Sequence, residues 1–226
     1  MKRIIATLLA TAVLMAIPLT PAAKSNVPAL MLSVKPLQWI TVNDESRPKL
    51  GIHCTVSLIN DVKHYWLTAA HCVDGDDESN PAVAERDFFI DGKEADVIAT
   101  SFPNDLAILQ TRDSNSPALR LAPLAPAYLD PVTMSGYPYG LGPVITVGHV
   151  MNPAMSVGSG LYMTLSIAGC PGNSGSSVVN AEGQVIGVLQ VGIGAPQGGC
   201  AALMGASPYL TLRAFAYAYF IEGMTQ

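Results

Sequence analysis

The stretch "CPGNSGSS", residues 170–177, sets Ser174 between Gly172 and Gly175, directly ahead of the apolar pair Val178-Val179. A serine hydroxyl is a weak nucleophile at neutral pH. It attacks only when a base takes its proton, and that base needs a third group to hold its tautomer. A Gly-Ser surface loop is the plainer reading, but the valines resume a strand almost at once. Glycines here allow positive φ and close approach, so successive N–H groups can converge on a developing negative charge.

The base and the orienting acid must therefore be sought elsewhere in the chain. His71 stands at the end of "YWLTAAHCV", after an apolar strand and beside Cys72. Alone it reads as a satisfied core histidine, and His53, His64 and His149 keep that structural reading because nothing comparable surrounds them. Asp105 opens "NDLAILQT", where a carboxylate at the mouth of an apolar strand is either a turn residue or a group held by a specific partner.

These three residues lie among short, β-branched segments. "LQWITV", "GIHCTVSLI", "KHYWLTA", "ADVIAT" and "DLAILQT" read as strands, and "VTMSG", "PVITVGHV", "LYMTLSIA", "SSVVN" and "QVIGVLQV" follow after a break. The break is "RDSNSPALRLAPLAPAYLDP", proline-rich and without periodicity, which reads as a linker over a surface. Regularly spaced short strands indicate an all-β sandwich or barrel, here as two units side by side. "NAEG" at residues 180–183 is expected to turn a hairpin. Near the C-terminus the period changes, and Leu212, Phe215 and Tyr219 share one face of a helix that Gly223 would stop.

Half of the 226 residues are apolar and only 13% are charged, with a net charge of −5 and no basic cluster, which argues for a large core and against a nucleic-acid partner. Lys2 and Arg3 precede an apolar run from Ile4 to Leu19, followed by prolines and small residues near Ala22 and Ala23. This is the layout of a secretory signal peptide over residues 1–23, too short and too interrupted by Pro18 for an ordinary membrane span, with an uncleaved anchor as the alternative. Export places Cys54, Cys72, Cys170 and Cys200 in an oxidising compartment, where disulfides are favoured over zinc; four cysteines allow three connectivities.

"LTAAHC", "NDLAIL" and "GNSGS", in that order, resemble the three signature segments of trypsin-like serine peptidases. "SGYPYGLGPVITVGHV" is similar to the matching stretch of the bacterial branch that includes the HtrA and glutamyl-endopeptidase groups. The resemblance covers most of residues 37–222. An α/β-hydrolase would run Ser, acid, His and carry G-x-S-x-G, which this chain does not. The resemblance implies two packed antiparallel β-barrels of chymotrypsin type with a C-terminal helix. The first barrel spans about residues 37–112, the linker 113–131, the second barrel 132–208 and the helix 209–223, within a peptidase domain covering 24–226. It further implies a catalytic triad of His71, Asp105 and Ser174, and an oxyanion hole from the N–H groups of Gly172 and Ser174. Disulfides Cys54–Cys72 and Cys170–Cys200 are implied too.

By the same resemblance, the specificity pocket has Ala168 at its base, Gln190, Val191 and Gly192 along one wall and Ser207 opposite. None is charged, so the expected substrate is a peptide or protein cut after a small or medium uncharged residue. Asn173 replaces the aspartate that zymogen-activated members carry before the serine, so activity is expected without tryptic activation. The chain is expected to be a secreted or periplasmic monomer, with no metal or organic cofactor and no stable membrane insertion after signal cleavage. It ends soon after the final helix, which disfavours an appended PDZ domain and an HtrA-type oligomeric regulator. The acidic stretch 74–80, with Asp74, Asp76 and Asp77, reads as a solvated turn rather than a calcium loop. The competing function is a catalytically silent member of the fold that binds peptides or protein partners; an esterase is a third reading.

Overall fold

The computed structural model describes residues 27–41, 50–73, 86–196 and 198–221. The signal segment 1–23, the acidic stretch 74–80 and Gly223 lie outside the described residues. Strand-forming stretches of β-branched and aromatic residues alternate with tight turns, and they close into two antiparallel six-stranded barrels. The first is built from β1 (Val34–Thr41), β2 (Leu50–Asn60), β3 (Tyr65–Thr68), β4 (Arg86–Ile90), β5 (Lys93–Ser101) and β6 (Leu106–Thr111), in the spatial order β1-β2-β3-β6-β5-β4. The second comprises β7 (Pro131–Gly136), β8 (Val144–Val157), β9 (Gly160–Leu165), β10 (Ser177–Val179), β11 (Val185–Ile193) and β12 (Leu203–Ala206), in the order β10-β11-β12-β9-β8-β7. This is the all-β architecture that the three motifs imply.

Three elements escape the sequence reading. A short helix α1 (Val27–Ser33) precedes the first barrel. Strand β4 pairs with β5 across a tight turn in which Asp91 and Gly92 have φ of 54° and 74°, the Asp-Gly signature of a hairpin. Strand β12, Leu-Met-Gly-Ala, lacks alternation in its sequence yet closes the second barrel between β11 and β9. The Asn180–Gly183 turn does join β10 to β11, with the Gly183 N–H donating to Asn180 O.

Strand β6 explains itself by burial: Leu106, Ala107, Ile108 and Leu109 are successive and all inaccessible, so both faces of the strand are covered. Leu106, Ile108 and Leu109 join Trp66, Leu67, Leu58 and Ile90 in the core of the first barrel; Met134, Met163, Leu165, Ile186 and Leu189 belong to the core of the second. The linker is tied down more firmly than a surface connection. Leu119 N–H donates to Leu58 O at 2.8 Å, and Val185 N–H donates to Arg120 O at 2.7 Å, so one short segment hydrogen-bonds to both barrels.

Helix α2 (Tyr209–Ile221) follows the second barrel and packs across both, against β11 of the second and β2 of the first. Leu212, Ala216 and Phe220, spaced by four, are buried in a cluster that joins the first barrel's core to Val179, Val185 and Val188 of the second, with Phe215 and Tyr219 half-buried beside them. The Asn60 side-chain amide donates to Tyr219 O at 3.0 Å, and the Tyr65 and Tyr219 rings meet edge to face at 5.5 Å. Tyr137, whose phenol donates to Val34 O at 3.3 Å, makes another cross-barrel bond. Burial, with the charge of Asp91, raises its pKa, which keeps that donor protonated. Among the described residues no helix is long and apolar enough to cross a membrane.

Candidate active site

Strands β3 and β6 are neighbours in register up to the Thr68–Ala107 pair. The chain leaves β3 through a 3-10 turn at Ala70–Cys72 and enters β6 from a second at Phe102–Asn104, which brings His71 alongside Asp105. One carboxylate oxygen of Asp105 accepts the His71 main-chain N–H at 2.9 Å, and the other lies 2.8 Å from His71 Nδ1. A carboxylate can only accept, so this pairing puts the proton on Nδ1 and leaves Nε2 as the basic nitrogen. Both side chains are about one-third exposed, at 34% and 29%.

Two features hold the pair in place. Cys54 of β2 is disulfide-bonded to Cys72, fixing the turn that carries His71; a ring nitrogen of His71 lies within 4.8 Å of both sulfurs. Asp105 adopts left-handed backbone angles, φ 48° and ψ 53°, which costs an L-residue about 1–2 kcal/mol. The Gln190 amide, reaching across from the second barrel, donates to the carbonyls of Asn104 at 2.7 Å and Asp105 at 2.8 Å.

Ser174 arrives from the other barrel on the loop between β9 and β10. Thr55, next to the disulfide-bonded Cys54, is the docking point: its N–H donates to Ser174 O and its hydroxyl donates to Gly172 O, each at 2.8 Å. Gly175 packs so closely that a Cβ would lie 2.3 Å from Thr55 O and 3.1 Å from Ala69 N, with φ at 83°. Only glycine fits there, and its fit presses the serine loop against the residues leading to His71.

The main-chain donors of the loop divide in two. Asn173, Gly175 and Ser176 N–H groups are taken by Cys170 O, Leu189 O and Asn173 O, whereas those of Gly172 and Ser174 find no acceptor among the described residues. The carbonyl of Pro171 is turned to accept the Tyr139 N–H at 2.7 Å, and the N–H of Gly172, in the same trans peptide, points the opposite way. Gly172 has φ 98°, and a Cβ would lie 2.4 Å from Tyr137 O.

Beside Ser174 a cleft of 360 Å³ is lined by Gly169, Gln190, Val191, Gly192, Ala195 and Met204, among other uncharged residues. Three of the five residues assigned to the specificity pocket line it. Ala168 and Ser207 do not, and both assignments need correcting. Ala168 is exposed just before the Gly169–Ala201 bridge, which puts Gly169 at the wall instead. Ser207 is fully buried, its hydroxyl accepting the Val188 N–H at 3.0 Å. Met204 takes its place: a Cβ on Gly169 would meet Met204 Sδ at 2.8 Å, so the thioether lies across a bare backbone. Counting residues back and forward from Ser174 could not find Met204 because β12 has no strand-like pattern. The rim is braced by Cys170–Cys200, and the Tyr139 hydroxyl donates to Gly198 O at 3.2 Å nearby.

Comparison with known proteins places this arrangement. Residues 54–188, more than half of the chain, match the family of the trypsin-like peptidase domain, and the chain belongs to that family. It is 31% identical over 160 residues to a do/HhoA-like protein of Haemophilus influenzae named as a periplasmic serine protease, an alignment covering 67% of this chain and 33% of that one. A DegP-like protein of Marinomonas sp., named as a periplasmic serine endoprotease, is 28% identical over 130 residues, covering 55% of this chain and 26% of its own. The chain thus spans about a quarter to a third of the length of these curated relatives. Among solved structures, the HtrA-type protease AlgW with a decapeptide superposes with a TM-score of 0.69 at 20% identity, covering 89% of this chain and 68% of that one.

Proposed function

We propose that the protein is a serine endopeptidase that cleaves peptide bonds through an acyl-enzyme on Ser174. The observation that carries this reading is the His71–Asp105 pair at 2.8 Å, on the barrel against which the Ser174 loop is docked through Thr55. In the proposed cycle His71 Nε2 takes the hydroxyl proton of Ser174 as it attacks the carbonyl carbon, and Asp105 steadies the resulting imidazolium. The negative charge that develops on the carbonyl oxygen is met by the N–H groups of Gly172 and Ser174. His71 then delivers its proton to the leaving amine, and water, activated by the same imidazole, releases the acyl group.

The uncharged cleft of 360 Å³, with Met204 and Val191 in its lining, supports a small or medium uncharged residue before the scissile bond. Asn173 is 3% exposed and carries an amide rather than a carboxylate, which supports activity without a newly cut N-terminal amine as ion-pair partner. The leader-like N-terminus, the two disulfides and the names of the relatives support action in the periplasm or beyond it.

The test is labelling of the purified protein with a fluorophosphonate probe, paired with casein hydrolysis. Labelling that is present in the wild type and lost in Ser174→Ala and His71→Ala is expected, with casein cleaved by the wild type alone. A folded wild type that takes no label would sink the reading in favour of a silent binder, and labelling without casein cleavage would favour an esterase.

A further inference from the structure

Gln190 is 9% exposed, and its amide N–H groups donate to two main-chain carbonyls of the opposite barrel. The carbonyl of Asn104 belongs to the peptide plane before the Asp105 Cα, and the carbonyl of Asp105 belongs to the plane after it. Two planes hinged at one Cα define φ and ψ. A single amide bonded to both therefore restrains the backbone angles of Asp105, whose left-handed values cost an L-residue free energy. The other support is local: Asp105 N–H donates to Phe102 O at 3.1 Å within the 3-10 turn, whose residues Phe102, Pro103 and Asn104 are all exposed. The peptide that follows Asp105 leads into β6, where Leu106 pairs with Ser101 of β5, and the Gln190 bond to its carbonyl adds a tie from the other barrel.

We propose that Gln190 is a positioning residue for the proton relay: from the second barrel it fixes the backbone of Asp105, and through it the direction of the carboxylate toward His71. This assignment rests on the peptidase reading above. It gives Gln190 a role separate from lining the cleft, because the amide bonds the acid's main chain while Val191 and Gly192, next along β11, face the cleft. It also makes the correct docking of the two barrels a condition for a competent base. A barrel pair that slid apart would lose the Asp105 geometry together with the Ser174 approach.

The experiment uses the full chain with Gln190→Met, of similar length but without donors, and Gln190→Glu, whose ionised carboxylate would face two carbonyl oxygens. Rates are measured on a peptide substrate and normalised to sites counted by fluorophosphonate titration, so that misfolded protein is excluded. In both variants kcat is expected to fall roughly ten- to a hundredfold, the loss a misplaced catalytic group produces, with KM changed less than about twofold. The acid limb of kcat/KM against pH is expected to move to lower pH, because an imidazole that loses its carboxylate partner becomes less basic. Either variant with unchanged kcat and an unmoved acid limb would overturn the positioning role while leaving the peptidase reading intact. A rise in KM alone would make Gln190 a cleft residue only, which also overturns it. A folded wild type that neither labels nor turns over would overturn both.

Discussion

The two barrels share strand count and closure but make different kinds of contribution. The first supplies side chains: His71 and Asp105 sit on 3-10 turns next to β3 and β6, whose core is Trp66, Leu67, Leu106, Ile108 and Leu109. The second supplies mostly main chain: the N–H groups of Gly172 and Ser174 and the bare walls at Gly169 and Gly192, over a core that includes Met134, Met163 and Met204. Branched aliphatic and aromatic side chains have few rotamers and hold neighbours rigidly, whereas methionine adapts its shape. A proton relay needs side chains fixed to fractions of an ångström. In the proposed peptidase, a cleft that meets differing side chains would be served by backbone and a deformable thioether.

If that division holds, damage in each barrel should have its own signature. The largest loss is expected from Asp105→Asn, which leaves the shape but removes the acceptor that fixes the His71 tautomer; kcat should fall about 10⁴-fold with KM little changed. Single-turnover kinetics would check this, and a loss under tenfold would remove Asp105 from the relay. Gly172→Ala strikes the second barrel. Its Cβ would collide with Tyr137 O, the loop must shift, and kcat should drop about 10²–10³-fold as an oxyanion donor is lost. The His71–Asp105 pair, measured by the imidazole NMR shifts, should stay as it is.

Smaller effects come next. Removing Cys54–Cys72 or Cys170–Cys200, which close sequence separations of 18 and 30, should each cost about 3–4 kcal/mol by loop entropy. Denaturant titration would give those values; enzyme assays should then differ, with kcat suffering from the first removal and KM from the second. The same kinetic change in both variants would erase the contrast between barrels. Least of all, Met204→Leu should alter stability by under about 1.5 kcal/mol. Its effect should show instead in the ratio of kcat/KM for small against medium residues before the cut, and an unchanged peptide-library profile would detach Met204 from specificity.

How far the site could be read from sequence follows the same line. His71, Asp105 and Ser174 announce themselves because each stands in a short motif whose neighbours serve it. Asn104 and Asp105 precede an apolar run that must be buried, and Gly172 and Gly175 flank a serine that backbone must closely approach. The cleft was legible only in part, since Met204 and Gly169 enter it through the pairing of β12 and the Gly169–Ala201 bridge. A glutamine in "VLQVG" gives no hint that its amide will span two barrels.

Periodicity, turn chemistry and motifs a few residues long make ten of the twelve strands, the break between two β units and the residue types fit for a proton relay legible in the chain, while β4 and β12 escape them. Tertiary structure alone decides which carbonyls Gln190 bonds, that Met204 lines the cleft, and that α2 lies across both barrels, against β11 and β2. Those outcomes depend on residues far apart in the chain meeting across closed sheets, and no local pattern records such a meeting.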